Sequence, residues 1–240
     1  MRRDTRPYYV KKAHLKVQEY YVHRFLRPQF ESLGSGFTFM KPWHVEVFGS
    51  PIVLGGYANV IATPDKRVRL TVWSNREDRV GIRIGSYCLI CPGVRIGAAL
   101  EIVIGDNCML ASGAYITDSD WHDVYDRVGS FGKTAPVRIE DNVWIGDSAI
   151  ICKGVTIGEN SIIGAGAIVV DSIPSNTIAA GNPAKVVKHL DPTQRIVRRA
   201  QWFSDPGRLS EQIDQMDRDM LRGNSVFCWI RSMLSPRKED

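Results

Sequence analysis

The sequence predicts an all-β fold, a parallel β-helix with a helical extension at each end. Three observations predict it: an aliphatic residue every six positions, a Gly or Asn at a fixed offset in seven of the twelve repeats, and helical apolar stripes in both flanks. The predicted parts are an N-terminal helical extension over residues 1–36, a β-helix over 37–190 and a C-terminal helical extension over 191–240.

The composition is that of a globular protein with a substantial core. The chain has 240 residues, of which 44% are hydrophobic and 24% are charged. No apolar run approaches the length that crosses a bilayer, and the first residues lack the pattern of a secretory signal, so we expect a cytoplasmic protein. The five cysteines form no disulfide framework, which is typical of a reducing compartment.

The positive charge is concentrated at the N-terminus. Residues 1–30 contain eight lysines and arginines against two acidic residues, whereas the formal net charge of the whole chain is +5. The rest of the chain is therefore close to neutral, which argues against a nucleic-acid-binding body. The basic segment indicates a solvated helix face, or a contact with anionic lipid, phosphate or an acidic carrier protein.

The six-residue repeat defines the β-helix. Its aliphatic anchors are Ile84, Ile90, Ile96, Ile104, Leu110, Ile116, Ile139, Ile145, Ile151, Ile157, Ile163 and Val169. Three residues after an anchor come Gly93, Asn107, Gly113, Asn142, Gly154, Asn160 and Gly166, residue types that tolerate left-handed backbone angles. A six-residue period with a corner is too short for a helix, so each repeat is a short strand and a turn. Stacked turns then bury each anchor against its neighbours. Residues 37–80 are expected to add one or two irregular coils.

The two flanks predict helices. Residues 8–30 form an amphipathic aromatic pattern that ends near Pro28. Asp191 and Asp205 each precede a proline, which is a helix-start signal. The apolar residues that share one face of the last predicted helix are Leu209, Ile213, Met216 and Met220. We expect these stripes to pack against the β-helix or a neighbouring subunit.

The longest interruption of the repeat, an extruded loop over residues 117–136, is the candidate catalytic segment. It holds His122, the only histidine between residues 45 and 188. Histidine suits the role of a general base near neutral pH. A carboxylate on the other ring nitrogen would hold the imidazole, and the nearby candidates are Asp118, Asp120, Asp123 and Asp126. Asp120 is favoured because two residues' separation in an extended segment keeps both side chains on one side.

The stretch IEDNVWIGDSAIICKGVTIGENSIIGAGAIVVDSIPSNTIAAGNPAKVV resembles the C-terminal coils of the hexapeptide-repeat acyltransferase superfamily, whose members include maltose, galactoside, polysaccharide and xenobiotic O-acetyltransferases. The resemblance implies a left-handed β-helix, acetyl-CoA as co-substrate without a permanently bound cofactor, and a homotrimer with active sites between subunits. It also implies that His122 is the catalytic residue of the loop.

The resemblance further implies where the donor binds. The matching positions are Ala165, Gly181, Lys185 and Lys188, with an outward Trp144 beside the donor arm or the acceptor ring. Asp171 stands where the family often has lysine, which removes one expected phosphate contact. Ala98 stands where galactoside enzymes have an acid, which argues against a simple galactoside acceptor. Tyr125 and Arg127 of the loop are candidate acceptor contacts.

Four functions compete at this point. The first is an acetyl-CoA-dependent O-acetyltransferase acting on a sugar, polysaccharide or lipid-linked hydroxyl. The second uses an acyl carrier protein as donor, which the basic N-terminal segment suggests. A metal-dependent lyase is disfavoured because it needs about three histidines, and no metal site is expected. The fourth is a non-catalytic scaffold. The outward residues Trp144, Ile150, Ile162 and Ile168 favour a homotrimer, because they would leave apolar surface on a monomer.

Overall fold

The chain divides into two compact units in a computed structural model that describes residues 4–74, 77–129, 132–235 and 237. One unit comprises Met1–Tyr20 together with Gln201–Asp240, and the other comprises Tyr21–Ala200. The β-helix unit thus runs over Tyr21–Ala200, compared with the predicted 37–190. The predicted loop 117–136 includes residues 130 and 131, which lie outside the described residues, as do residues 1–3 of the basic segment.

Three sheets form the faces of the β-helix. The first contains β1 (Ser32–Leu33), β4 (Ile52–Leu54), β7 (Gly81–Ile84), β10 (Glu101–Ile104), β13 (Val137–Ile139) and β16 (Thr156–Ile157). The second contains β2 (Thr38–Met40), β5 (Asn59–Ile61), β8 (Leu89–Ile90), β11 (Met109–Leu110), β14 (Trp144–Ile145), β17 (Ile162–Ile163), β19 (Thr177–Gly181) and β20 (Ala184–His189). The third contains β3 (Val45–Phe48), β6 (Val68–Val72), β9 (Arg95–Ala98), β12 (Tyr115–Thr117), β15 (Ile150–Ile151) and β18 (Ile168–Val169).

Consecutive strands lie on successive faces, so every third strand pairs in parallel with the one above it. The exceptions among the named strands are β19, which pairs in parallel with β17, and β20, which returns antiparallel to β19. Each of the twelve predicted anchors is at most 2% exposed. Each of the seven predicted Gly and Asn corners has a positive φ between 57° and 81°. The predicted parallel β-helix with helical ends is therefore confirmed.

The N-terminal helix agrees with the prediction for residues 8–30. α1 spans Tyr8–Tyr21 and continues as a π-helical turn over Val22–Leu26 and a 3-10 turn over Arg27–Gln29. Val22 and Leu26 are buried in the same hydrophobic core as the strands. The open end of a solenoid core needs such apolar cover, since its first coil has no neighbour beneath it. A further 3-10 turn, Pro42–His44, precedes β3.

One of the two predicted C-terminal helix starts is correct. Asp205 caps α2 (Pro206–Met220), because its carboxylate accepts the backbone N–H of Arg208 at 3.0 Å. The prediction at Asp191 is wrong: its carboxylate instead closes a turn with the N–H and hydroxyl of Thr193. The chain then runs along the β-helix, where the Arg199 guanidinium donates to the carbonyl oxygen of Tyr87 at 2.7 Å. These tertiary contacts override the local helix signal. A 3-10 turn, Arg199–Phe203, and α3 (Val226–Leu234) complete the C-terminal elements.

In the helical unit, α2 presents acidic side chains to α1. Asp217 pairs with Lys11 at 2.6 Å, and Asp214 accepts from both Lys12 and Tyr8. The predicted apolar stripe lies largely exposed in the single chain, with Met216 at 63%. Its packing against a neighbouring subunit stays a prediction. Among the described residues, every helix is too short or too polar for a bilayer span.

Candidate functional site

The base of the extruded loop is fixed by a buried carboxylate. Asp118 is fully buried and accepts the backbone N–H groups of Ala99, Leu100 and Glu101 at 2.7–2.8 Å. Desolvation raises the pKa of this carboxyl above its ordinary value, and the three N–H donors oppose that rise. Asp118 therefore ties the start of the loop to the preceding coil and is not available to an imidazole.

The two ends of the loop pair with each other. Ser119 and Thr134 form an antiparallel bridge, and the N–H of Asp120 donates to the carbonyl oxygen of Lys133. Gly132 lies on the returning segment, where a Cβ would come within 2.2 Å of the carbonyl oxygen of His122. Only a residue without a side chain allows the returning segment to pass this close to the backbone of His122. The glycine at position 132 therefore permits the two strands of the loop to pack together at His122.

Trp121 lies on a notch in the third sheet. A Cβ on Gly97 would meet the indole ring at 3.2 Å, so the absence of a side chain there makes room for the ring. The indole N–H donates to the hydroxyls of Thr117 at 3.0 Å and Tyr115 at 3.2 Å. Trp121 also has a φ of 61°, which is strained for a bulky residue. Strain held by this many contacts is typical of functional sites.

His122 follows this residue directly and is exposed at the edge of a cleft of about 460 Å³. The floor of the cleft is the outer face of the third sheet. Its lining residues are Arg69, Thr71, Trp73, Arg95, Ile96, Gly97, Tyr115, Trp121 and His122. The volume lies in the range of small-molecule sites. The structure thus brings the predicted catalytic histidine to a cleft of substrate size.

The structure does not bring a carboxylate to the imidazole within the described residues. The Asp120 carboxylate pairs with Lys153 at 2.5 Å, at the start of the turn that follows β15. Asp123 accepts the N–H groups of Tyr125 and Asp126, and these bonds hold the pKa of its carboxyl below its ordinary value. Asp126 accepts N–H groups of its own turn. Asp120 as the partner of His122 therefore stays a prediction, because the Asp120 carboxylate forms an ion pair with Lys153 in the single chain.

Two arginines form a wall of the cleft. Arg69 and Arg95 are in register on β6 and β9, and Arg95 is in register with Tyr115 on β12. The Arg95 guanidinium lies over the Tyr115 ring at 4.4 Å, and Arg69 Nε donates to Glu46 at 3.1 Å. Trp73 adds an aromatic surface. The cleft therefore combines cationic and aromatic groups beside the histidine.

The residues expected at the donor site lie on the later coils. Trp144 is 45% exposed on β14 in the second sheet, and Ala165 is exposed in the turn after β17. Gly181 ends β19 with a φ of 97°. Lys185 and Lys188 are exposed on β20. These positions lie outside the lining of the cleft that holds His122 in the single chain.

One of the two expected phosphate cations is already paired. Lys185 Nζ lies 3.0 Å from the carboxylate of Asp171, with both side chains 67% exposed. Asp171 is the residue that stands where the family often has lysine. An aspartate at position 171 therefore removes one expected cation and neutralises a second, Lys185. Lys188 forms no ion pair among the described residues.

The two predicted acceptor residues lie outside the cleft. Tyr125 is 97% exposed, and Arg127 is also exposed on the outer part of the loop. Neither lines the cleft in the single chain. Their role as acceptor contacts stays a prediction.

Sequence reasoning missed Arg69 and Arg95, although a signal was present. Each residue immediately precedes a buried residue of a coil, Leu70 and Ile96, and so must point outward. Aligning every third anchor pairs Ile96 with Ile116 and would have placed Arg95 beside Tyr115. Arg69 lies in the irregular coils before Ile84, where the period gives no such alignment. Lys153 had no comparable signal. Among the described residues, no group of three His, Cys, Asp or Glu side chains is arranged to hold a metal ion.

Comparisons with known proteins agree with this architecture. Residues 136–171 match the family described as bacterial transferase hexapeptide (six repeats), and residues 102–118 match the hexapeptide repeat of succinyl-transferase. Galactoside O-acetyltransferase of Escherichia coli is 40% identical over 92 residues, which are 38% of this chain and 45% of that protein. The chain thus spans less than half of the length of this curated relative.

Solved structures share the fold. A variant of AntD, an N-acyltransferase from Bacillus cereus in complex with coenzyme A and a dTDP-linked amino sugar, superposes with a TM-score of 0.58 at 18% identity. The superposition covers 82% of this chain and 96% of that one. Together with the repeats, the matched family models and the curated relative, this fold makes the chain similar to the hexapeptide-repeat acyltransferases.

Proposed function

We propose that the chain transfers an acyl group, most simply acetyl, from coenzyme A to an acceptor hydroxyl, with His122 as the general base. The observation that carries the proposal is the exposed imidazole at the edge of a cleft of about 460 Å³, on a loop fixed to the β-helix at both ends. Related proteins support the reaction class: the Escherichia coli relative is a galactoside O-acetyltransferase, and AntD is an N-acyltransferase with coenzyme A bound.

In this reaction His122 accepts the proton of the acceptor hydroxyl as its oxygen attacks the thioester carbonyl carbon. The C–O bond forms, the C–S bond breaks, and the imidazolium returns its proton to the leaving thiolate. The products are an ester and the free thiol of coenzyme A. Backbone N–H groups at the edge of the coils are expected to stabilise the oxyanion of the tetrahedral intermediate.

The donor is proposed to lie along Trp144, Ala165 and Gly181, with its phosphates near Lys185 and Lys188. Ala165 and Gly181 are small and exposed, which suits a thin arm that needs close approach to backbone groups. Since these residues lie outside the cleft of the same chain, we propose a homotrimer in which His122 works with the donor site of a neighbouring chain. A cytoplasmic location remains part of this proposal.

The test measures release of free thiol from acetyl-CoA with a panel of hydroxyl acceptors. His122→Ala is expected to lower kcat by about 10²- to 10⁴-fold, the usual contribution of a general base. Val128→Ala is the matched control, because Val128 lies on the same loop and is 98% exposed. Turnover by His122→Ala at the level of the control would remove His122 from the mechanism.

An acyl carrier protein is less favoured as the donor than acetyl-CoA. Lys11 and Lys12 of the basic segment are paired with Asp217 and Asp214 of α2, so part of the charge that suggested it is neutralised. A higher kcat/KM with an acyl carrier protein than with the matching acyl-CoA would favour the carrier protein as donor.

A thermal shift at millimolar coenzyme A is expected for the enzyme, because a ligand of the folded state raises its stability. No shift would favour the scaffold.

A further inference from the structure

We propose that the acceptor carries a negative charge, a carboxylate or a phosphate, and that Arg95 together with Arg69 binds it. This inference rests on the proposed function and names the substrate class of the same site. The acceptor would be a polyol of monosaccharide size, with its charged group on the arginines and a hydroxyl at His122.

The register of the third sheet brings the two cations together. Arg69 and Arg95 are directly paired residues of adjacent parallel strands, and both side chains line the cleft. Neighbouring strands lie about 4.8 Å apart, so the two side chains leave the sheet side by side. Like charges at such positions repel each other. A bound anion would relieve this repulsion, and two planar guanidinium groups suit the paired oxygens of carboxylate and phosphate.

The charge of Arg95 is not met by a carboxylate in the described part of the chain. The Arg95 guanidinium lies against the face of the Tyr115 ring, which leaves the edge of the guanidinium with its N–H donors for other partners. Arg69 uses its Nε for Glu46, an exposed pair in which the two side chains are 50% and 45% exposed. A guanidinium has five N–H donors, so this bond leaves the outer nitrogens of Arg69 able to bind an anion.

The remaining walls suit a compact polyol ring. Trp73 is 49% exposed and packs against Phe48 in a tilted arrangement with 4.4 Å between ring centroids, which holds an aromatic surface in the cleft. Aromatic faces pack against the C–H face of a sugar ring, while its hydroxyls remain available to polar groups. His122 lies in the same lining. The cleft therefore has a cationic wall, an aromatic wall and a base.

The position of the arginines favours the acceptor over the phosphates of the donor. In the third sheet, β9 and β6 lie on one side of β12, the strand from which the loop leaves, and β15 and β18 lie on the other. The expected donor residues belong to the coils of β14 and later strands. An anion at Arg95 is thus on the opposite side of the loop from the donor residues of its own chain, and comparison of acetyl-CoA with its 3′-dephospho form tests whether the donor of a neighbouring chain reaches it.

The experiment compares three ligands that share one ring: glucose, glucose 6-phosphate and glucuronate. Binding is measured by ligand-observed NMR titration at low salt, and thiol release from acetyl-CoA is measured with the same ligands. The variants are Arg95→Met, which keeps the length of the side chain without its charge, Arg95→Lys and Arg69→Met. Arg83→Met is the matched control, because Arg83 is an exposed arginine on β7 of the first sheet.

We expect at least one anionic ligand to bind about tenfold or more tightly than glucose, as charged hydrogen bonds predict. Arg95→Met should abolish the preference and Arg69→Met should weaken it, while Arg95→Lys retains part of it and Arg83→Met retains all of it. The phosphate and carboxylate arms identify which anion the site takes. Equal binding of glucose and both anions by the wild-type chain, or a preference that survives Arg95→Met, would overturn the inference.

Two outcomes separate this inference from the proposed function. His122-dependent turnover without a charge preference overturns the inference alone. A charge preference that depends on Arg95, without turnover on any acceptor, supports the inference and overturns the proposed function. If Arg95→Met raises the KM of acetyl-CoA but not that of its 3′-dephospho form, the arginines serve the donor phosphate and the inference is wrong.

Discussion

In the third sheet, the outward side chains differ on the two sides of the extruded loop, whereas the inward side chains do not. Before the loop the outward residues are Glu46, Arg69, Arg95 and Tyr115, and after it they are Ile150 and Ile168. The inward residues of the same strands are Val47, Leu70, Ile96, Ile116, Ile151 and Val169, all buried and aliphatic. Packing therefore fixes the inward side chains, whereas the outward side chains are polar before the loop that holds His122 and apolar after it.

The largest effect is expected where the loop meets the sheet. Gly97→Val adds a branched side chain whose Cβ alone would lie 3.2 Å from the ring of Trp121, so the ring must move and carry His122 with it. A misplacement of about 1 Å can cost about 100-fold in kcat. The steady-state rate and the tryptophan fluorescence of the variant test this expectation.

Gly97→Ala is the graded control for this substitution. It adds one methyl group, which a shift of a few tenths of an ångström in the indole would accommodate. We therefore expect a smaller loss of kcat than for Gly97→Val. Equal, near-wild-type rates for both variants would mean that the contact between Trp121 and the sheet does not position the histidine.

An intermediate effect is expected at the ion pair that joins the loop to the apolar side. Lys153 and Asp120 are 30% and 37% exposed, and such pairs contribute about 0.2–1 kcal/mol. Loss of the pair should therefore lower kcat by about two- to fivefold, and by the same factor in Lys153→Met and Asp120→Asn. Paired steady-state assays of the two variants measure it.

The same pair of variants distinguishes two roles of Asp120. If Asp120 only ties the loop to Lys153, either substitution removes the same interaction. A loss of 100-fold or more in Asp120→Asn, with little change in Lys153→Met, would instead identify Asp120 as the partner of the imidazole in the assembled protein.

The smallest effect is expected on the donor side. Asp171→Asn releases Lys185 from a pair in which both side chains are 67% exposed, so the lysine gains freedom to meet a phosphate. We expect the KM of acetyl-CoA to fall about two- to fivefold with kcat unchanged, in line with the modest energy of exposed pairs. Initial rates against acetyl-CoA test this, with 3′-dephospho-CoA derivatives as the control. An unchanged KM would remove Lys185 from the donor site.

The interior of the fold was predictable because one physical requirement recurs in every coil. Each repeat places one aliphatic residue inside, as at Ile96, and most corners have a residue with a positive φ, as at Asn107. The loop and His122 stood out as departures from the period. The period shows which residues point outward but not what an outward side chain does, which explains why Arg69 and Arg95 were missed.

The partners of polar side chains were the least predictable part. Asp191 and Asp205 have the same local sequence signal, yet only Asp205 caps a helix, because contacts with distant coils decide the path after Asp191. Asp120 likewise finds Lys153, a residue 33 positions away, instead of the nearby imidazole. Such choices depend on residues that only the coiled fold brings together.

The most direct test of this account is a crystal structure of the assembled protein with coenzyme A and a bound sugar acid or sugar phosphate. The account predicts the anionic group on Arg95, a hydroxyl within about 3 Å of a ring nitrogen of His122, and the thiol on the side of the loop toward Ile150. An imidazole that faces away from both ligands, in every subunit, would contradict it.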